Sequence, residues 1–281
     1  MSISNADLQF KSAIQAAGIT PPEHIRADGK IHRFSANGKR GDAAGWYVFH
    51  GNNIPAGSFG NWRTDTSCNW RADIGRKLTP EEEANCRKRI ATIQREREAA
   101  EAKRREEVKI KANALWSKAT PATNHPYLTK KHIHPHGTRI YRGLLVVPIY
   151  SESKRIVNLQ FITPESEKRF LSGGRKRGCF HVMGDLSGRI LICEGFATGA
   201  SLYEDSGQGV VVAFDAGNLL PVARNVRELL PDDEIIICGD NDLSNIGQNK
   251  AREAALAVGG KLMIPPVEGM DWNDYLAGGE K

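Results

Sequence analysis

The sequence predicts an α/β protein: a C-terminal parallel sheet flanked by helices, preceded by a small α+β region and a long charged connecting helix. Three observations predict it. After residue 188, short apolar runs alternate with helical segments, the pattern of a parallel sheet covered on both faces. Residues 79–118 are charged almost throughout, with few apolar positions. Residues 1–78 are rich in Gly, Trp and Asn, with short β-prone runs between turn residues. The expected divisions are therefore 1–78, 79–118, a strand-rich basic segment 119–187, and 188–281.

In the first region, "NADLQFKSAIQAAG" predicts a helix with Leu8, Ala13 or Ile14, and Ala17 on its apolar face, capped by Ser4 or Asn5 and stopped by Gly18. Residues 31–34 and 46–49 read as strands of a small sheet. The connecting helix opens with a capping box: Thr79 at the N-cap, Pro80 next, Glu82 at the third helical position. Glu83/Arg87, Glu101/Arg105 and Glu107/Lys111 are acid-first pairs one turn apart, the favourable order. A helix over this whole stretch is about 60 Å long, at about 1.5 Å per residue. Ile90 and Ile93 at one end, and Val108, Leu115 and Trp116 at the other, are its docking positions; the rest reads as a solvated face.

Pro121 and Pro126 end that helix. "GLLVVPIY" and "IVNLQFIT", joined by the polar "SESK", read as a hairpin. "EKRFLSGGRKRG" follows, with Lys168, Arg169, Arg175, Lys176 and Arg177 around a Gly-Gly turn. A basic, glycine-containing loop lets backbone and cations approach phosphates closely.

The C-terminal region reads as strand "RILICE", helix "FATGASLYEDSG", strand "GVVVAFD", helix "NLLPVARNVRELLP", strand "EIIICGD", helix "GQNKAREAALAVGG" and strand "KLMIP". Ligands of such sheets bind at the carboxyl ends of the strands. Acids collect there: Glu194 after the first strand, Asp215 after the second, Asp240 and Asp242 after the third. Asp240 and Asp242 alternate along an extended segment, so both can face one ligand. Crowded carboxylates repel, and a hard divalent ion with oxygen ligands, Mg²⁺ or Mn²⁺, relieves that. The plainer alternative is that Asp240 or Asp242 caps the helix near Gly247.

The formal net charge of +6 favours an anionic partner, nucleic acid first. The five cysteines, Cys68, Cys86, Cys179, Cys193 and Cys238, include no close pair, so no zinc site is expected and a reducing cytoplasm fits. The N-terminus lacks the basic-then-apolar pattern of a signal peptide, and no apolar run approaches the roughly 20 residues that span a bilayer. No membrane partner is therefore expected. The sequence contains no GxxxxGK[ST], which excludes a P-loop ATPase within it.

Residues 188–281 resemble a Toprim domain, the metal-binding fold shared by bacterial-type primases, topoisomerases, OLD-family nucleases and RecR-like proteins. The signature is a strand-ending Glu-Gly, here Glu194-Gly195, followed by a strand-ending DxD, here Asp240 and Asp242. "EGFATG" is similar to the EGYATA-type motif of phage and plasmid primases, with Phe196 in place of the Tyr and Gly199 in place of the final Ala. The hairpin and "EKRF" resemble the segment preceding Toprim in DnaG-type primase cores, and "DWNDYL" at 271–276 resembles the end of Toprim domains in mobile-element replication proteins. The resemblance implies a DNA primase of the phage or plasmid type, making short RNA primers on single-stranded DNA with NTPs and Mg²⁺ or Mn²⁺. It implies that Asp240 and Asp242 hold metal, and that Glu194 completes the site or acts as general base. Lys168 and Arg169 match positions that contact template and nucleotide phosphates; Arg175, Lys176 and Arg177 join them from the same loop. Asp215, Asp271 and Asp274 are accessory candidates, and a separate replicative helicase is a candidate partner. Many primases carry an N-terminal zinc module; this sequence lacks its cysteines. A Toprim nuclease and a non-catalytic DNA-binding replication accessory are the alternatives. Trp46, Phe59 and Trp62 are candidates for stacking on bases, with core packing favoured for at least two of them.

Overall fold

The computed structural model describes residues 3–51, 54–64, 66–76, 79–243 and 245–278. The chain divides into two compact units, Met1–Thr92 and Ile93–Lys281.

The first unit holds helix α1 (Ile3–Ala16) and an antiparallel sheet of β1 (His32–Phe34), β2 (Gly45–His50), β3 (Ala56–Asn61) and β4 (Thr66–Arg71), in chain order. Ala6, Phe10 and Ile14, four residues apart, form the buried stripe of α1. This corrects the predicted face: Leu8 is 64% exposed, and Ala17 is exposed too. Phe10 decides the orientation, because its ring sits 4.9–6.1 Å from those of Tyr47, Phe49, Phe59 and Trp70. Strand β3 was hidden in the sequence by its glycines. At Gly57 a Cβ would lie 2.3 Å from the Val48 carbonyl oxygen, so the close strand pairing requires glycine. Trp46 and Phe59 are core residues, while Trp62 is 47% exposed.

Helix α2 (Pro80–Lys118) opens as the capping box predicts. The Thr79 amide donates to Glu82 at 2.9 Å, and the Glu82 amide to Thr79 Oγ1 at 3.2 Å. Arg76 grips the same carboxylate with two 2.7 Å bonds and holds its pKa down at about 2. Arg87 lies 3.6 Å from Glu83, and Arg105 pairs with Glu101. Docking occurs at the far end, where Ala112, Leu115 and Trp116 pack against Val146 and Leu159. Ile90 is 44% exposed, and the side chain of Ile93 lies outside the described residues.

The second unit continues with β5 (Thr120–Pro121), α3 (Pro126–Lys131), β6 (Arg139–Tyr141), β7 (Leu144–Tyr150), β8 (Ile156–Ile162) and β9 (Lys168–Phe170). These strands form an antiparallel sheet in chain order, with β7 and β8 as the predicted hairpin. A second sheet follows: β10 (His181–Met183), β11 (Arg189–Cys193), helix α4 (Phe196–Ser206), β12 (Gly209–Val212), α5 (Ala216–Leu229), β13 (Glu234–Cys238), α6 (Ile246–Ala257), β14 (Lys261–Met263) and α7 (Trp272–Leu276). Its order is β10-β12-β11-β13-β14, parallel except for the edge strand β10. Alternation sorts the faces. Ile190 and Ile192 meet Leu219, Val222 and Val226 of α5 and Ala251 and Ala254 of α6. Leu191 and Cys193 meet Phe196 and Ala200 of α4, Trp272 of α7, and Leu145, Val147 and Ile162 of the hairpin. The hairpin and the parallel sheet therefore share one core. Among the described residues, no helix is long and apolar enough to cross a membrane.

Candidate metal centre

The chain runs from β11 through α4 to β12 on one side, then crosses through α5 to β13 on the other. The carboxyl end of β11 is thus a topological switch point, where open α/β sheets bind ligands. Cys193 and Cys238 are register partners, so β11 and β13 end level and release Glu194 and Asp240 at one edge. Asp242 arrives over the start of α6, where its Oδ2 accepts the Gly247 amide at 2.9 Å. Gly247 lies against Asp242 and Glu194, and Asp240 reaches it only through its backbone carbonyl oxygen, 3.7 Å from the Cβ position. A Cβ there would lie 2.7 Å from Asp242 Oδ2 and 3.0 Å from Glu194 Oε1. Glu194 Oε1 and Asp240 Oδ1 are buried without a hydrogen-bond partner. Such orphaned oxygens are rare in native proteins.

Burial pushes the Glu194 carboxyl up to about 7; the charges of Asp240, Asp215 and Asp242 add to this, and the Ala216 amide opposes it. Asp240 is pushed up to about 6 by burial, then by Asp271 and Asp242, with Lys168 opposing. Buried carboxylate oxygens without protein donors, at the carboxyl edge of one sheet, fit a hard divalent cation.

A pH dependence follows. Both folded pKa values lie above the ordinary carboxyl values, so the folded state holds protons that the unfolded chain has released. In EDTA, the centre should destabilise the protein progressively as pH rises through about 6 and about 7, and saturating Mg²⁺ should cancel the loss. Thermal unfolding between about pH 5 and pH 8, with and without Mg²⁺, checks this. The same slope in Glu194→Gln/Asp240→Asn would exclude these groups as its source.

The remaining acids have other primary partners. Asp215 caps α5 through the Asn218 amide at 2.9 Å and pairs with Lys176. Asp271 caps α7 through the Asp274 amide at 2.8 Å, and Asp274 lies 3.2 Å from Lys131. They surround the centre electrostatically while making these contacts. Asp242 accepts a first-turn amide of α6, whose N-cap is Asn245, and shares the space over Gly247 with Glu194.

Of the five basic-loop residues, two approach the acids. The end of Lys168 packs 5.8 Å from the Tyr127 ring centroid, within reach of the charges of Asp240 and Asp271. Burial around its ammonium and repulsion from Lys131 lower its pKa, although the residue as a whole is exposed. Lys176 pairs with Asp215 and lies 5.2 Å from the Phe170 ring. Arg169 rests 2.8 Å from Glu167, Arg175 3.0 Å from Glu152, and Arg177 is exposed.

Sequence reasoning missed three contributors. Gly247 had a signal, a glycine in the first turn of a helix that follows a DxD. Lys131 was an unremarked basic residue at a helix end. Asn218 is 3% exposed, and its Nδ2 reaches the carbonyls of Ala213 (2.7 Å), Lys176 (3.1 Å) and Cys179 (3.1 Å), while its Oδ1 accepts the Gly178 amide (2.8 Å). This one amide fastens the basic loop to the start of α5.

Residues 189–280 match the Toprim domain family. Residues 189–280 are a Toprim domain. The motif pair Glu194-Gly195 and Asp240/Asp242 thus sits in the fold it implied. Two Escherichia coli proteins, each named DNA primase TraC, are similar over most of the chain. One is 34% identical over 282 residues, covering 92% of this chain and 26% of the relative. The other is 31% identical over 284 residues, covering 92% of this chain and 19% of the relative. The chain therefore spans about a quarter and about a fifth of their lengths. Among solved structures, the primase fragment of the bacteriophage T7 primase-helicase protein aligns at 15% identity and a TM-score of 0.46, covering 58% of this chain and 73% of that one. The likeness to the primases named TraC extends beyond the Toprim domain into both units of the chain.

Proposed function

We propose that this chain is a DNA primase that builds short RNA primers on single-stranded DNA for phage or plasmid replication. The observation that carries this reading is the placement of Glu194, Asp240 and Asp242 at the carboxyl edge of the parallel sheet, with one oxygen each of Glu194 and Asp240 buried and unpartnered. In the reaction, a 3′-hydroxyl attacks the α-phosphate of an NTP and pyrophosphate leaves. Asp240 and Asp242 would hold Mg²⁺ or Mn²⁺, which supplies charge neutralisation and lowers the pKa of the attacking hydroxyl. Glu194 either completes that oxygen set or takes the hydroxyl proton; a carboxyl pushed up to about 7 is suited to proton transfer near neutral pH. Lys168 stands beside the acids, where its ammonium can meet a triphosphate. We place the work in the cytoplasm, with a separate helicase opening the duplex.

One incubation tests the reading: single-stranded template, labelled NTPs, and Mg²⁺ or Mn²⁺. Short RNA oligomers support it. Degraded template would point instead to a Toprim nuclease, and no product to a non-catalytic accessory. The basic loop has its own test. Lys168→Ala/Lys176→Ala should flatten the salt dependence of oligonucleotide binding by about 1.4 in log–log slope, at about 0.7 per phosphate contact on single strands. An unchanged slope would exclude both as phosphate contacts. Arg169→Ala, whose guanidinium rests on Glu167, should change the slope least.

A further inference from the structure

The loop between α3 and β6 reads "HIHPHGT" and lies outside the acid centre. Ile133 is buried in the core shared by the hairpin and the parallel sheet. His134 and His136, on either side of Pro135, both turn to Glu204 in the last turns of α4. The Glu204 carboxylate accepts the His134 amide at 2.7 Å and lies 2.5 Å from His136 Nε2. His134 Nδ1 lies 3.3 Å from Glu204 Oε2. One ligand atom from each of the three residues lies within 4.8 Å of the other two.

The group is held in place before any ligand arrives. His136 adopts φ 43°, a left-handed backbone that few non-glycine residues take up. Its carbonyl is bonded to the buried His181 ring at 3.2 Å, and its own ring stands edge-on to Tyr203 at 5.2 Å. Glu204 is fixed by the His134 amide. His134, by contrast, has a side chain that is 80% exposed, so one side of the group is open to water.

We propose that His134, His136 and Glu204 form a second cation site, selective for a late first-row transition ion of the Zn²⁺ class. Two imidazoles and a carboxylate, with an open fourth position for water, suit tetrahedral zinc. Imidazole ligands disfavour Mg²⁺, so the site and the acid centre sort ions by ligand chemistry. Tetrahedral bonds of about 2.0–2.2 Å set donors roughly 3.4 Å apart. The present separations are 2.5 Å and 3.3 Å to the two Glu204 oxygens and at most 4.8 Å within the trio, and side-chain rotation would bring one atom of each onto a shared ion. The site uses no cysteine, which is why cysteine spacing gave no expectation of zinc. A bound ion would clip the loop after α3 to the end of α4, roughly 12 Å along the helix from the end that follows Glu194, at about 1.5 Å per residue. Its role would be structural, and it does not depend on the primase reading.

The test uses the untagged full chain, stripped with EDTA, in an Asp240→Asn/Asp242→Asn background that removes the competing centre. Titration with Zn²⁺ should show one equivalent bound and a rise in melting temperature, and Co²⁺ should give the visible absorption of a four- or five-coordinate site. His134→Ala/His136→Ala and Glu204→Gln should each weaken Zn²⁺ binding by about tenfold or more, the scale on which even outer partners of metal ligands act. In the otherwise native chain, the same changes should leave Mg²⁺ binding intact. Should the double variant fail to fold, the surface change His134→Ala carries the test. Zn²⁺ binding that is absent from the parent background, or undiminished in these variants, would overturn the site and leave a plain His–Glu ion pair.

Discussion

Asp240→Asn/Asp242→Asn is expected to lower primer synthesis by about a thousandfold or more, because metal-assisted charge stabilisation is worth several kcal/mol and each ~1.4 kcal/mol is tenfold in rate. The same double change is expected to raise the melting temperature of the metal-free protein. Asp240 is half-buried, repelled by Asp271 and Asp242, and carries a buried, unpartnered oxygen. A neutral amide of the same shape removes that repulsion. Activity and stability should therefore move in opposite directions, and Mg²⁺ should no longer shift the melting temperature. Full activity in this variant would remove the two aspartates from the mechanism. A fall in metal-free stability would show that the carboxylates are not in conflict.

Gly247→Ala is the second change with a large expected effect. Gly247 lies within α6 and outside the left-handed region, so alanine suits its backbone. On helix propensity alone the substitution would stabilise by up to about 1 kcal/mol. Its methyl group would nevertheless sit 2.7 Å from Asp242 Oδ2 and 3.0 Å from Glu194 Oε1. The ends of two flexible side chains can swing aside at little cost to folding. They cannot do so and keep the geometry of the centre. The expected result is a protein at least as stable as the parent, with Mg²⁺ affinity and primer synthesis reduced by about tenfold to a hundredfold, the range seen for misplaced metal ligands and reacting groups. Unchanged Mg²⁺ affinity would show that the carboxylates do not need to meet over the bare glycine.

The parallel sheet was legible because strands buried on both faces are continuous apolar runs, and the edge position of Glu194, Asp240 and Asp242 was legible because they stand one, two and four residues past the ends of such runs. The capping box at Thr79 was legible because its two bonds need only local sequence. What was hidden depends on distant partners. The face of α1 was set by the aromatic cluster that receives Phe10, and Leu8 loses that competition although its spacing is as good. Strand β10 is three residues between turns, too short to show a period. Asn218 looked like an ordinary helix-start residue, since its partners at 176–179 lie about forty positions upstream. His134 and His136 carried a short-period signal, but Glu204 completes it from 68 positions away.

The Asn218 amide also says where this molecule can be cut. A fragment beginning at residue 188 would retain the whole Toprim motif, yet it would lose the carbonyls of Lys176 and Cys179, the Gly178 amide and the edge strand β10. A buried side chain would be left without most of its partners, and β12 would become a bare sheet edge, a template for aggregation. The motif that names the domain is therefore smaller than the piece of chain that can fold around it. The basic loop belongs to that piece, so loop and metal centre would be inherited, exchanged or lost together.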